Sequence, residues 1–237
     1  MRGIFIVFEG GDGVGKSTQA ELLTDWLIAQ GRDVVRTFEP GDGPVNAQIR
    51  HILLSRSTEN LAPRAEALLF AADKAQHVAS VVEPALERGA VVVSDRYVDS
   101  TLAYQGAGRV LETGAVERIN RWATGDLRPD LTVLLDLDHT AGLASAGDAD
   151  RMESAGGDFH ARVREGFLEL AARDPAHYLV LPARDDRGAI AHAVRERVAS
   201  LLVDPDAAGD GRDVSRRGVL GALFRAELSD PAATLEP

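Results

Sequence analysis

The amino-acid pattern predicts an α/β protein: a three-layer sandwich with a five-stranded parallel sheet, helices on both faces and a short lid. Two observations carry this. Short apolar, β-branched runs bounded by Gly, Asp or Pro alternate with longer segments of helical period. The chain has 237 residues, 45% of them hydrophobic, which is enough to build a core on both faces of such a sheet.

Strands are expected at Ile4 to Phe8, Val34 to Phe38, Ala90 to Ser94, Leu131 to Leu137 and Tyr178 to Leu181. The first helix, Lys16 to Ala29, sets Leu22, Leu23, Trp26 and Leu27 at helical spacing and stops at Gly31, a residue type that ends helices readily. Further helices are expected at Asn46 to Leu54, Pro63 to Glu87, Ala115 to Ala123, Phe159 to Ala172 and Ala189 to Leu202. Gly142 to Gly157 is rich in Gly, Ala, Ser and Asp without a sustained period, and reads as a connection suited to a lid. These elements make one domain over residues 1–203. From Asp204 the composition shifts to Asp, Pro, Gly and Ala, so residues 204–237 read as an acidic tail. Within it, Val219, Leu220, Leu223 and Phe224 predict a short docked helix.

Composition excludes several functions. With 26 basic and 37 acidic residues the formal charge is -11, which argues against a nucleic-acid or anionic-membrane partner and requires any anionic ligand to have a local basic pocket. The absence of Cys excludes disulfides, a Cys-zinc site and a thiol nucleophile. No run approaches the roughly 20 apolar residues of a membrane span, and the N-terminus shows no export signal, so the expected location is the cytoplasm.

Gly10-Gly11-Asp12-Gly13-Val14-Gly15-Lys16-Ser17 fits G-x-x-x-x-G-K-[ST], directly after an apolar strand and at the start of a helix. Phosphates need many N–H donors aimed at one spot. Successive small residues let the backbone curl to supply them, and the helix N-terminus adds partial positive charge. On this reading Gly10 to Thr18 bind a nucleotide, Lys16 reaches its β- and γ-phosphates and Ser17 ligates Mg²⁺. A glycine-rich turn with a surface lysine is the plain alternative; the length of the pattern argues against it, as does the occurrence of Lys only at positions 16 and 74. Asp95 follows the run Ala90 to Ser94 at the carboxyl end of a strand, where it would support the metal directly or through water; the alternative is a loop Asp paired with Arg96. Asp136 and Asp138 also end a strand, and loop capping serves them as well as function does. Taken alone, Phe70 reads as core, because Leu68, Leu69 and Phe70 are consecutive apolar residues.

These residues, together with Glu39-Pro40-Gly41, the run Phe70 to His77, Asp95-Arg96-Tyr97, Ala103-Tyr104-Gln105-Gly106 and Asp150-Arg151-Met152-Glu153, give a chain that resembles bacterial thymidylate kinases from the first strand to about Leu202. The resemblance implies the P-loop NTPase fold, transfer of the ATP γ-phosphoryl group to dTMP with Mg²⁺, and a homodimer. It implies that Asp12 lies near the acceptor phosphate and metal, that Asp95 and Arg96 hold metal and phosphate, and that Glu39 lies on the substrate side. Phe70 would stack on the base, Thr101 and Gln105 would meet its edge, and Tyr104 would crowd a ribose 2′-hydroxyl; an ordinary loop or helix contact is the alternative for each of the last three. Lys74 and Arg96 would balance the phosphate charge. Charge accounting during transfer makes Arg151 the candidate lid cation, because the lid segment before it has no positive charge; a salt bridge to Asp150 or Glu153 that only holds the lid is the alternative. His77 reads as structural, because the attacking phosphate oxygen is already anionic and needs no base. The chain departs from the family in carrying Phe38 and Lys74 where relatives commonly have Arg, and in a lid without basic residues from Leu143 to Asp148. A kinase for another nucleoside monophosphate and a weakly catalytic nucleotide-binding module are the competing functions.

Overall fold

The computed structural model describes residues 2–55, 57, 58, 60–109, 111–137 and 157–203. Residues 138–156 and 204–237 hold Asp138, Arg151, all but the last residue of the expected lid and the expected tail helix, and lie outside the described residues.

Five strands form one parallel sheet in the order β2-β3-β1-β4-β5: β1 (Phe5–Gly10), β2 (Val34–Phe38), β3 (Val91–Asp95), β4 (Leu131–Asp136) and β5 (Tyr178–Pro182). Side-chain alternation decides which layer each residue joins. Ile6 and Phe8 pack under helices α1 (Lys16–Ala29) and α8 (Arg187–Val203), whereas Phe5 and Val7 meet Val78, Val82 and Leu86 on the opposite face. The strands β1, β3 and β4 are buried nearly throughout because each has a neighbour on both sides, while β2 and β5 are edges and remain partly exposed.

The expected helix Pro63 to Glu87 is instead α3 (Pro63–His77), a π-helical turn at Val78–Val82, and α4 (Glu83–Glu87). Pro84 explains the break: it has no N–H to donate to the turn before it, and the Glu83 N–H reaches back to the Val78 carbonyl in the wider π spacing. The sequence predicts no element between Tyr97 and Gly108. The structure has α5 (Val98–Thr101) running into a π-helical segment, Leu102–Gly108, which packs on α7 (Gly157–Arg173). That packing requires a bare backbone, since a Cβ at Gly108 would lie 2.6 Å from the Phe159 ring. The remaining helices are α2 (Pro44–Leu54) and α6 (Thr113–Ala123). Among the described residues no helix is long and apolar enough to cross a membrane.

Candidate active site

The carboxyl ends of β1, β2 and β3 lie side by side and supply the P-loop, Glu39 and the Asp95-Arg96 pair, respectively. Gly10 turns the chain out of β1 at φ +132°, where a Cβ would lie 2.4 Å from the Leu135 carbonyl oxygen. Val14 anchors the loop by packing in the core beneath α1, leaving the loop's backbone to face outward. Gly13 and Gly15 also hold positive φ. Lys16 is buried and its Nζ curls back to the Gly11 carbonyl at 2.5 Å. Burial and the nearby Arg96 guanidinium push its pKa down to about 8, against the opposing pull of Asp12 and Asp95. Thr18 lies one residue beyond the motif, in the first turn of α1.

Ser17 Oγ donates to Asp95 Oδ2 at 2.5 Å, so a hydroxyl and a carboxylate converge at the mouth of the loop. This pair of hard oxygen donors fits Mg²⁺, which retains waters and takes only one or two protein ligands beside substrate phosphates. The described residues contain no cluster of three or more His, Cys, Asp or Glu that would hold a metal without a nucleotide.

Arg96 stands between the P-loop and a neighbouring cleft. Its backbone sits at φ +73°, an unfavourable conformation for a residue with a Cβ, and is held there by its N–H to the Phe8 carbonyl (2.9 Å) and by Ser94 Oγ on its own carbonyl (2.8 Å). The guanidinium reaches the Gly10 carbonyl at 3.0 Å and Ser100 Oγ at 2.9 Å, and it pairs with Asp12. Tyr104 donates to the other Asp12 oxygen at 2.7 Å, and its ring lies under the guanidinium at 5.3 Å. Burial alone would raise the Asp12 pKa, but Arg96, Lys16 and these hydrogen bonds outweigh it and hold the carboxyl below its ordinary value. Asp12 therefore stays ionised.

The cleft has a volume of about 160 Å³, and its lining includes Asp12, Glu39, Arg50, Phe70, Arg96 and Tyr104, together with Ser100 and Gln105. Its lining carries two guanidinium groups, Arg96 and Arg50. Phe70 presents a ring, and Gln105 presents an amide.

Two expected contacts are placed elsewhere. Lys74, expected on the acceptor phosphate, does not line the cleft. Its ammonium lies over the Phe70 ring at 5.5 Å and pairs with Glu39 at 3.3 Å with both side chains 2% exposed. The helical spacing of Phe70, Lys74 and His77 explains this, because the face of α3 that turns Lys74 toward Glu39 also turns His77 there. His77 bridges Glu39 at 2.7 Å and Thr37 at 2.5 Å, the structural role expected of it. Thr101, expected at the base edge, is buried away from the cleft lining with no hydrogen bond to its hydroxyl among the described residues. Asp136 forms a two-point ion pair with Arg164 at 2.7 and 2.8 Å.

Sequence reasoning missed Arg50, Ser100 and Glu9. Arg50 donates to the Pro40 carbonyl at 2.5 Å and lies 5.7 Å from the Phe38 ring, so Phe38 faces a cation rather than supplying one. Glu9 accepts from the backbone N–H groups of Tyr97 (2.8 Å) and Ser100 (3.1 Å) and from Ser100 Oγ (2.6 Å). Burial, and then Asp99, raise its pKa to about 7. A readable signal existed for Glu9, a carboxylate ending a strand otherwise buried and apolar; Arg50 carried none, because one charge on a helix face is unremarkable.

Comparison with known proteins places the chain in a family. The thymidylate kinase family model matches residues 8–194. A thymidylate kinase of Cutibacterium acnes is 55% identical over 202 residues, covering 85% of this chain and 99% of the relative. One from Leifsonia xyli subsp. xyli is 56% identical over 200 residues, covering 83% and 94%. The crystal structure of thymidylate kinase from Ehrlichia chaffeensis superposes with a TM-score of 0.70 at 29% identity, covering 84% of this chain and all of that one. The family model spans the P-loop, the Arg96 turn and every residue that lines the cleft, and on that extent of agreement the chain belongs to the thymidylate kinase family.

Proposed function

We infer that this chain transfers the γ-phosphoryl group of ATP to the 5′-phosphate of dTMP, giving ADP and dTDP. The observation that carries the reading is Arg96: one guanidinium contacts the P-loop through Gly10 and Asp12 and also lines the neighbouring cleft. A donor phosphate in the loop and an acceptor phosphate in the cleft would face each other across it. The cleft suits a nucleoside monophosphate, with Arg96 and Arg50 for the anion, Phe70 as a platform for the base and Gln105 at the base edge.

In the reaction an oxygen of the dTMP phosphate forms a bond to the γ-phosphorus as the bond from that phosphorus to the β,γ-bridging oxygen breaks, and ADP leaves with the electron pair. The nucleophile is anionic already, so the protein's work is positioning and charge stabilisation. Lys16 would move from the Gly11 carbonyl onto the donor phosphates. Asp12 would hold Arg96 and Tyr104 in place at the meeting point of the two substrates. Ser17 and Asp95 would hold Mg²⁺, which when bound neutralises charge on the β- and γ-phosphates. Tyr104, in the cleft lining, would occupy the space of a ribose 2′-hydroxyl and favour the deoxy sugar.

Three wider features belong to the same proposal. The catalytic domain is residues 1–203, with 204–237 outside the chemistry. The molecule is a homodimer, supported by the exposed Val45, Ile52 and Leu68 on the mutually packed helices α2 and α3. It works in the cytoplasm. Chromatographic detection of dTDP from ATP and dTMP, beside dUMP, UMP, CMP and AMP as rival acceptors, tests the function. Preference for another monophosphate, or no product from folded protein, would overturn it.

A further inference from the structure

We propose that Glu66 is a positioning residue for acceptor specificity: its carboxylate fixes the Gln105 side-chain amide so that the cleft offers a carbonyl oxygen, and not an NH₂ group, to the edge of the base. This rests on the reading that the base of dTMP occupies the cleft.

Glu66 lies on α3, one turn before Phe70, and is 1% exposed. Its Oε1 accepts from Gln105 Nε2 at 3.0 Å and from Arg109 Nε at 3.2 Å, and its Oε2 lies 3.4 Å from a second Arg109 nitrogen. Arg109 is itself held against the Phe159 ring at 5.0 Å. A carboxylate paired with a guanidinium is ionised and only accepts hydrogen bonds, so the Gln105 group that faces it must be the NH₂. The amide is planar, and committing Nε2 to Glu66 turns Oε1 away from it. Gln105 lines the cleft, and its Oε1 has no partner among the described residues. The polar atom left for a ligand is therefore an acceptor.

Pyrimidines differ at the matching position. Thymine and uracil carry N3–H, a donor, whereas N3 of cytosine is an acceptor. Against cytosine the fixed Oε1 meets a lone pair, and two buried acceptors are left unpaired; sites built to hydrogen-bond a substrate group reject analogues that lack it more strongly than shape does. Without Glu66 the amide is free to turn over and offer Nε2 instead. Gln105, within the π-helical segment, and Arg109, just after its end, both reach the same carboxylate.

The test compares kcat/KM for dTMP and dCMP, and for N3-methyl-dTMP, which lacks the donor. The parent enzyme should reject both analogues. Glu66→Leu should lose about tenfold or more of the dTMP preference, through a higher KM for dTMP with kcat at saturation little changed. Glu66→Gln should keep most of the preference, because its Oε1 still accepts from Arg109 and Gln105. If Glu66→Leu does not fold, Glu66→Asp decides, since it keeps the charge for Arg109 but draws the acceptor back by one methylene; a reduced preference is again expected. Parent enzyme that uses N3-methyl-dTMP as well as dTMP, or a preference unmoved by both Glu66→Leu and Glu66→Asp, overturns the role of Glu66. Failure of the parent to use dTMP at all overturns instead the function on which it rests.

Discussion

The donor end and the acceptor end of this site are built in different ways. The donor end is eight consecutive residues, Gly10 to Ser17, whose function lies in backbone geometry between one strand and one helix. The acceptor cleft draws Asp12 from the P-loop, Glu39 from the end of β2, Arg50 from α2, Phe70 from α3, Arg96 from the end of β3 and Tyr104 from the π-helical segment. Its side chains are held by partners on other elements: Glu39 by the buried His77 and Lys74, Arg96 by the half-buried Asp12, and Gln105 by the buried Glu66. A local motif carries its own supports. A cleft assembled from distant segments depends also on groups outside its lining, here Lys74, His77 and Glu66, so damage to it should appear in stability and acceptor affinity as much as in rate.

The sharpest test of that contrast is Lys16→Ala, expected to lower turnover by at least about 10²- to 10³-fold with thermal unfolding little changed, as read by initial rates and calorimetry on one preparation. Arg96→Ala belongs to both ends and should lower kcat/KM by about 10²-fold with either substrate varied; an effect confined to dTMP would assign it to the acceptor alone. Lys74→Ala should behave unlike either. Removing the ammonium leaves the buried Glu39 with His77 as its partner and no lysine to balance its charge, and a loss of about 3–5 kcal/mol of stability is expected in chemical denaturation, larger than its effect on the kcat of whatever remains folded. Unchanged stability with a raised KM for dTMP would return Lys74 to the phosphate.

Titration separates the ends again. The Lys16 pKa is lowered to about 8, so its charge is present below that pH and lost above it, whereas an ordinary lysine keeps its charge beyond pH 10. In the free enzyme, kcat/KM for ATP should therefore fall as pH rises past 8, by about tenfold per pH unit well above it, while dTMP binding measured without ATP changes less. Arg50→Ala should raise the KM for dTMP by about tenfold and leave that for ATP alone. The smallest effect is expected from deleting residues 204–237, which should leave turnover unchanged; a large fall in a folded truncated chain would place the tail in the site or the dimer.

How far the sequence reached follows the same division. Strand and helix periods located the sheet and most helices to within a few residues, because burial on both faces of β1, β3 and β4 writes continuous apolar runs. The π-helical segment Leu102–Gly108 escaped, since its form depends on the fit of Gly108 against Phe159 in a helix far along the chain. Lys74 shows the same limit at the level of one side chain: its sign was legible, but whether it faced a phosphate or Glu39 depended on the rotation of α3.

The sequence by itself determined the sheet, the phosphate loop and the class of reaction, because each rests on contiguous residues whose backbone preferences and spacing act locally. The tertiary structure alone decided which charges meet the acceptor. Arg50 was brought to the cleft lining, Lys74 was paired with Glu39, Thr101 was buried outside the lining, and Glu66 was set against Gln105. The physical reason is that a buried charge takes its meaning from its partner, and these partners lie on other elements, up to 39 residues away for Glu66 and Gln105.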